Sequence, residues 1–161
     1  MIRKVAVLGA GTMGSQIAAH AANAGLPVLL LDVTIEQVRA GLQALDMSSP
    51  PALFLPENAR QIEIGTFAQD MERIRETDWV IEAIVENLEI KTKLLESVDA
   101  ARKPGSFVTT NTSGLSVNAL AAGRSSDFRL RWFGTHFFNP PRYMRLLEII
   151  PTPETDPAAT A

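Results

Sequence analysis

The chain has 161 residues, 46% of them hydrophobic and 20% charged, with 15 Lys and Arg against 18 Asp and Glu for a net charge of −3. That is one ordinary domain with a core of its own, too short for a two-domain enzyme and neither disordered nor polyelectrolyte. No basic excess exists to neutralise a row of phosphates, and no cysteine to form disulfides, thiolate metal sites or nucleophiles, so nucleic-acid binding and cysteine chemistry are set aside.

Residues 2–8 run apolar into Gly9, as a strand buried on both faces meets a tight turn. Those glycines also interrupt the run too early for a signal peptide. From Thr12 to Ala24 the spacing is helical, with Met13, Ile17, Ala21 and Ala24 as the apolar stripe and Gln16, His20 and Asn23 opposite; Gly25 closes the helix. His20 is therefore expected to be a solvated surface histidine. Val28 to Leu31 forms a second strand ended by Asp32, and Thr34 to Leu45 a second helix striped by Val38, Leu42 and Leu45. Ser48 to Glu57 is proline-rich and reads as a surface excursion through which no helix passes.

Regular alternation resumes with a strand at 79–84, a helix at 88–102, a strand at 106–110, a short helix at 117–122, and strands at 133–138 and 146–150. Strands alternating with helices predict an α/β fold, a doubly wound and mostly parallel sheet with helices on both faces. Residues 152–161 lack apolar periodicity and read as a linker toward a further domain. No apolar stretch approaches the ~20 residues of a membrane span, so a cytoplasmic protein is expected, and with it no metal site.

Gly9-Ala10-Gly11-Thr12-Met13-Gly14 fits G-x-G-x-x-G between the first strand and first helix, the arrangement of a Rossmann-type dinucleotide site. Gly9 permits the turn, Gly11 lets backbone approach a pyrophosphate, and Gly14 lets the helix pack on the strand. The diphosphate is expected over the amides of Thr12 and Met13, at the positive end of the helix dipole. Asp32 lies 18 residues beyond Gly14, where an acid hydrogen-bonds the adenosine ribose; a carboxylate there favours NAD and repels the phosphate of NADP. A flavin or another nucleotide remains the alternative.

His136 stands at the end of a late strand, where doubly wound sheets bind ligands. Glu148 follows 12 residues later inside an apolar strand, and a charge there needs a partner. If the strands are neighbours, the carboxylate fixes the imidazole tautomer and stabilises its cation, making a general base; the alternative is a core pair without chemistry.

With these residues, the chain is similar to the NAD-binding domain of the L-3-hydroxyacyl-CoA dehydrogenase family. The shared motifs are VAVLGAGTMG, Val80 to Asn87, Asn111-Thr112-Ser113, and Gly134 to Pro140 followed by Leu147 to Ile150, in the family's order. The form GTHFFNPPRY resembles the large bacterial fatty-acid oxidation proteins. The resemblance implies that His136 is the catalytic base, Glu148 its orienting partner, and Ser113 a contact of substrate and nicotinamide. Glu86, Lys91, Ser113 and Asn139 would add cofactor contacts; read without the resemblance, Glu86 and Lys91 are helix-start residues, Ser113 a loop hydroxyl and Asn139 a turn residue. The implied reaction oxidises a 3-hydroxyacyl-CoA to the 3-ketoacyl-CoA in fatty-acid β-oxidation and reduces NAD. A helical C-terminal domain would supply dimer contacts and another catalytic asparagine. Gly114 replaces the second serine of many members, residues 123–131 differ in length, and Ser48-Ser49-Pro50-Pro51 interrupts the helical excursion that helps bind coenzyme A. No CoA-binding residue is therefore carried over. An NAD dehydrogenase of a non-CoA hydroxy or sugar acid, and a non-catalytic dinucleotide-binding module, remain open.

Overall fold

The computed structural model describes residues 1–160. Seven strands form one sheet: β1 (Val5–Leu8), β2 (Val28–Asp32), β3 (Ile62–Thr66), β4 (Trp79–Glu82), β5 (Phe107–Thr110), β6 (Trp132–Phe137) and β7 (Leu147–Pro151). Their order is β3-β2-β1-β4-β5-β6-β7, parallel throughout except for the last pair. The chain winds outward from β1 in one direction and from β4 in the other, so the crevice between them opens at the carboxyl edge of the sheet.

The central strands are apolar on both faces because each face carries its own core. Val5 and Val7 of β1 and Val28 and Leu30 of β2 pack under α1 (Thr12–Asn23) and α2 (Ile35–Asp46). Ala6, Leu8, Leu29 and Leu31 face the other way, toward α4 (Leu88–Ala101), α5 (Val117–Leu120) and α6 (Ser126–Leu130). Thr34 and Gln37 cap α2 reciprocally, a device typically contributing ~1 kcal/mol. Beneath α6, Trp132 is fully buried against Phe128, with ring centroids 5.2 Å apart.

The doubly wound sheet matches the pattern read from the sequence, but several parts differ. Strand β3, the short helix α3 (Phe67–Asp70) with the 3₁₀ turn after it, and α6 are additional elements. The inward face of α1 is Gly14, Ile17, Ala18 and Ala22; Met13 and Ala21 are only partly buried, and Ala24 is exposed. Small residues bring the helix onto the sheet here; Ile17 is common to both faces, and the expected stripe runs rotated toward Met13. His20 is not a solvated histidine. Its ring lies edge-on to Phe137 at 6.5 Å, its Nδ1 is shut off from solvent without a partner, and burial lowers its pKa.

Two structures close over that side of α1. The excursion of residues 48–57 folds back onto the helix, where the Asn23 amide donates to Ala52 O and Asn23 Oδ1 accepts from Phe54 N. The connection between β6 and β7 grips the same excursion from the other side. Residues 152–160 also lie on the body: the Thr155 hydroxyl donates to Trp132 O at 2.6 Å and Asp156 N to Leu130 O at 2.9 Å. Ala161, the last residue of the expected linker, falls outside the described residues. No helix among the described residues is long and apolar enough to cross a membrane.

Candidate functional site

The turn between β1 and α1 admits only glycine at two positions. Gly9 has φ +104°, and a Cβ there would lie 2.6 Å from Ala83 O. At Gly14 a Cβ would lie 1.8 Å from Gly9 O. At Gly11 a Cβ would meet nothing within 4 Å, so the missing side chain leaves open ground in front of the helix. Among the described residues, α1 is also the one α-helix whose N-terminus receives no side-chain cap; α2 to α6 are capped by Thr34, Thr66, Asn87, Ser116 and Ser125. The first-turn amides, those of Thr12 and Met13 included, therefore face the open ground with the helix dipole behind them, which suits an anion.

Asp32 stands at the carboxyl end of β2 beside this turn. Its Oδ2 accepts from Ala10 N at 2.6 Å and its Oδ1 from Val33 N at 2.7 Å, so the carboxylate is oriented before any ligand arrives. Two clefts share Gly11 and Asp32 in their lining, one of about 410 Å³ and one of about 780 Å³. The larger runs to Ala83, Ile84 and Val85 after β4. An extended ligand with an anionic centre fits this site, its middle over Gly11 and a hydroxyl-bearing part at Asp32.

Across the crevice, β4 ends in a buried charged network. Glu82 is 0% exposed; it accepts from Ile84 N, the Thr110 hydroxyl and Lys91 Nζ, the last at 2.6 Å. Lys91 is 1% exposed, and its ammonium also donates to Ile84 O at 3.2 Å and pairs with Glu86 at 3.4 Å. A buried ammonium held by Glu82, Ile84 O and Glu86 does not reach the surface, so any part Lys91 takes in cofactor binding runs through Glu86. Glu86 accepts from the Thr112 hydroxyl and from the amides of Ser113 and Gly114. Burial alone would raise its pKa; the Thr112 hydroxyl, the Gly114 amide, the Lys91 charge and the Ser113 amide outweigh that and lower it to about 2. Glu86 thus stays an anion that fixes the loop after β5. Ser113 is exposed on that loop, with no hydrogen bond from its hydroxyl among the described residues.

His136 and Glu148 occupy directly opposed positions on β6 and β7. His136 Nδ1 lies 2.7 Å from Glu148 Oε2, which directs the Nδ1 proton to the carboxylate and leaves Nε2 as the basic nitrogen. The hairpin is tight because position 134 is glycine, where a Cβ would meet Ile150 at 3.0 Å and Val117 at 3.2 Å. Phe138 packs on the imidazole with ring centroids 4.7 Å apart. Asn111 Oδ1 accepts from Phe137 N, tying the loop after β5 to the end of β6. Asn139 is exposed just beyond, ahead of Pro140. Glu82, Thr110 and Thr112 were not singled out from the sequence; a glutamate inside the apolar run Val80-Ile81-Glu82 carried the same signal as Glu148.

The family model described as "3-hydroxyacyl-CoA dehydrogenase, NAD binding domain" matches residues 4–161. A probable 3-hydroxyacyl-CoA dehydrogenase of Bacillus subtilis is 49% identical over 97% of this chain and 22% of its own length. Another from Deinococcus radiodurans is 44% identical over 97% of this chain and 47% of its own. The chain thus spans between about a fifth and a half of these curated relatives. The crystal structure of a (S)-3-hydroxybutyryl-CoA dehydrogenase from Ralstonia eutropha superposes with a TM-score of 0.85 at 32% identity, covering 99% of this chain and 57% of that one.

Proposed function

Because the chain belongs to the 3-hydroxyacyl-CoA dehydrogenase family through its NAD-binding domain, we propose that it forms the cofactor-binding and base-bearing half of an enzyme oxidising (3S)-3-hydroxyacyl-CoA to 3-ketoacyl-CoA in fatty-acid β-oxidation. The observation that carries this reading is the 2.7 Å contact between His136 Nδ1 and Glu148 Oε2, on the sheet edge that also bears the uncapped start of α1.

The residues present fit NAD. The first-turn amides of α1, with Gly9, Ala10, Gly11, Thr12, Met13 and Gly14, would hold the pyrophosphate, and Asp32 the adenosine ribose. Glu86, Ser113 and Asn139 would border the nicotinamide, with Lys91 acting behind Glu86. Bound there, NAD supplies the hydride acceptor. His136 Nε2 takes the proton of the substrate 3-hydroxyl, and Glu148 stabilises the imidazolium that results. Ser113 offers its hydroxyl to the oxygen that becomes the ketone. In the same reading, residues 152–161 lead toward a helical C-terminal domain that completes the substrate site and supplies homodimer contacts, in a cytoplasmic protein.

Calorimetric titration with NADH and, in parallel, NADPH tests the cofactor half. Saturable NADH binding with much weaker NADPH binding is expected; equal affinity would refute the role of Asp32. Rates of the longer protein on 3-hydroxybutyryl-CoA and on free 3-hydroxybutyrate test the substrate half, and a preference for the free acid would overturn it.

A further inference from the structure

The carboxyl ends of the strands form a row in the order β2, β1, β4, β5, β6. Asp32 ends β2, the glycine turn follows β1, Glu86 lies shortly beyond β4, Ser113 shortly beyond β5, and His136 stands near the end of β6. In the cofactor reading above, the dinucleotide starts at Asp32, crosses the glycine turn and reaches toward His136, so its nicotinamide end lies along the part of the row that Glu86 and Ser113 occupy. That ring carries a positive charge when oxidised and none when reduced. The charge of the protein at this point therefore bears on which form is held.

Three charged groups meet there, and they do not balance. Glu82, Lys91 and Glu86 bring two carboxylates to one ammonium. Lys91 Nζ lies 2.6 Å from Glu82 Oε1 but 3.4 Å from Glu86 Oε2, so the ammonium is spent mainly on the glutamate behind it. At 1% exposure it does not swing out to neutralise the other. Lys93 does not take its place either: residues two apart on a helix do not share a face, and Lys93 lines the larger cleft with Asp32. Glu86 thus keeps the surplus charge, with 41% of its side chain exposed. The Thr112 hydroxyl and the Ser113 and Gly114 amides fix that charge in place, and they keep Glu86 ionised across the neutral range. With a neutral residue at position 82, Lys91 would serve Glu86 alone and the cluster would carry no net charge.

We propose that Glu82, Lys91 and Glu86 act as one charge triad whose net negative charge, displayed at Glu86, raises the affinity for the oxidised dinucleotide relative to the reduced one, with Glu82 as the positioning residue acting through Lys91. The assignment rests on the cofactor reading above and extends it to the choice between the two redox forms. Once hydride has been transferred, the same charge faces a neutral ring and no longer holds it, which favours release of the reduced form.

The test is calorimetric titration of this chain and its variants with NAD and with NADH, read as the ratio of the two affinities. Glu86→Gln should shift the ratio toward NADH on the order of tenfold, by weakening NAD binding. Glu82→Gln touches neither the loop after β5 nor the cofactor, yet by freeing Lys91 for Glu86 it should shift the ratio in the same direction by about threefold or more. A denaturation curve confirms that this buried variant is folded at the titration temperature, and Glu86→Gln carries the test without disturbing the buried pair. Asp32→Asn should weaken both forms alike, since the ribose it meets is common to them. A ratio unmoved by Glu86→Gln would overturn the triad, as would one moved equally by Asp32→Asn, which would place the bias in the overall charge of the site. A ratio moved by Glu86→Gln and unmoved by folded Glu82→Gln would remove Glu82 and reduce Glu86 to a local contact. Failure of the unmodified chain to bind either form would instead refute the cofactor reading, and this assignment with it.

Discussion

Glu148 sits on an edge strand with 49% of its side chain exposed, while the His136 side chain it faces is 21% exposed. An ion pair so open to water contributes little to stability. Its value lies in orientation: one Oε2–Nδ1 contact fixes which imidazole nitrogen is basic and which way it points. Glu148→Gln keeps an oxygen that accepts the Nδ1 proton but removes the charge that stabilises the imidazolium. In the longer protein kcat should fall on the order of 10²-fold, with KM for NAD unchanged and the unfolding midpoint within experimental scatter. Steady-state kinetics on 3-hydroxybutyryl-CoA, set beside a denaturation curve, would check this. A fall confined to KM for NAD would show that the pair serves binding and not proton transfer. Lys91 and Glu82 lie at the other extreme, both essentially without exposure, where removing one partner strands a buried charge.

The β1–turn–α1 unit separates two uses of glycine that look alike in the sequence. Gly14 exists for packing: a Cβ would sit 1.8 Å from Gly9 O, and the obstacle is backbone that cannot step aside. Gly14→Ala should therefore cost about 3 kcal/mol or more in a urea denaturation, the upper range for overpacking. Gly11→Ala has room for its methyl and should unfold at nearly the original midpoint, yet bind NADH more weakly because the methyl enters the ground in front of the helix amides. If both variants lost only stability, the turn would be structural. This unit was legible in the sequence because strand, glycines, helix and Asp32 all constrain one another locally. Strand β3 was not, since Ile62-Glu63-Ile64-Gly65-Thr66 lies on the sheet edge and carries only two apolar residues on its inner face. The face of α1 was misjudged for a related reason: the helix is rich in alanine on every side, so Met13 drew the stripe toward itself, whereas the close helix–sheet approach is built by Gly14, Ala18 and Ala22. His20 depended on the most distant information, a proline-rich excursion and a hairpin more than a hundred residues away meeting over one helix face. His136 and Glu148 were found because an acid in an apolar strand is costly unless paired; the same reasoning reaches Glu82, whose partner Lys91 lies on the following helix.

Across the whole molecule, the parallel winding collects Asp32, Glu82 and Thr110 at the carboxyl ends of their strands, and β7 turns back to add Glu148 opposite His136. Three other groups, His20, Glu86 and Asp78, make the fold's stability depend on pH in two windows. Burial lowers the pKa of His20, so the unfolded chain binds a proton at that position more readily than the folded one. Its contribution is present above the ordinary histidine value of ~6.5 and is lost as pH falls below it. Glu86 and Asp78 form the second window. Glu86 is held at about 2 by the interactions described above, and Asp78 at about 2 by the Lys103 ammonium and the Arg3 and Lys4 amides, against the effect of burial. Each folded pKa lies below its unfolded value, so their stabilisation is present above ~4.5 for Glu and ~3.9 for Asp and drains away as pH falls toward 2. Urea midpoints measured from pH 8 to pH 3 should therefore decline first below about 6.5 and then more steeply below about 4.5. His20→Gln should remove the first decline and leave the second, while Glu86→Gln should lower stability at neutral pH and flatten the second. A single transition confined below pH 4.5 in the unmodified chain would mean that His20 is solvated in solution, and that the excursion does not close over α1.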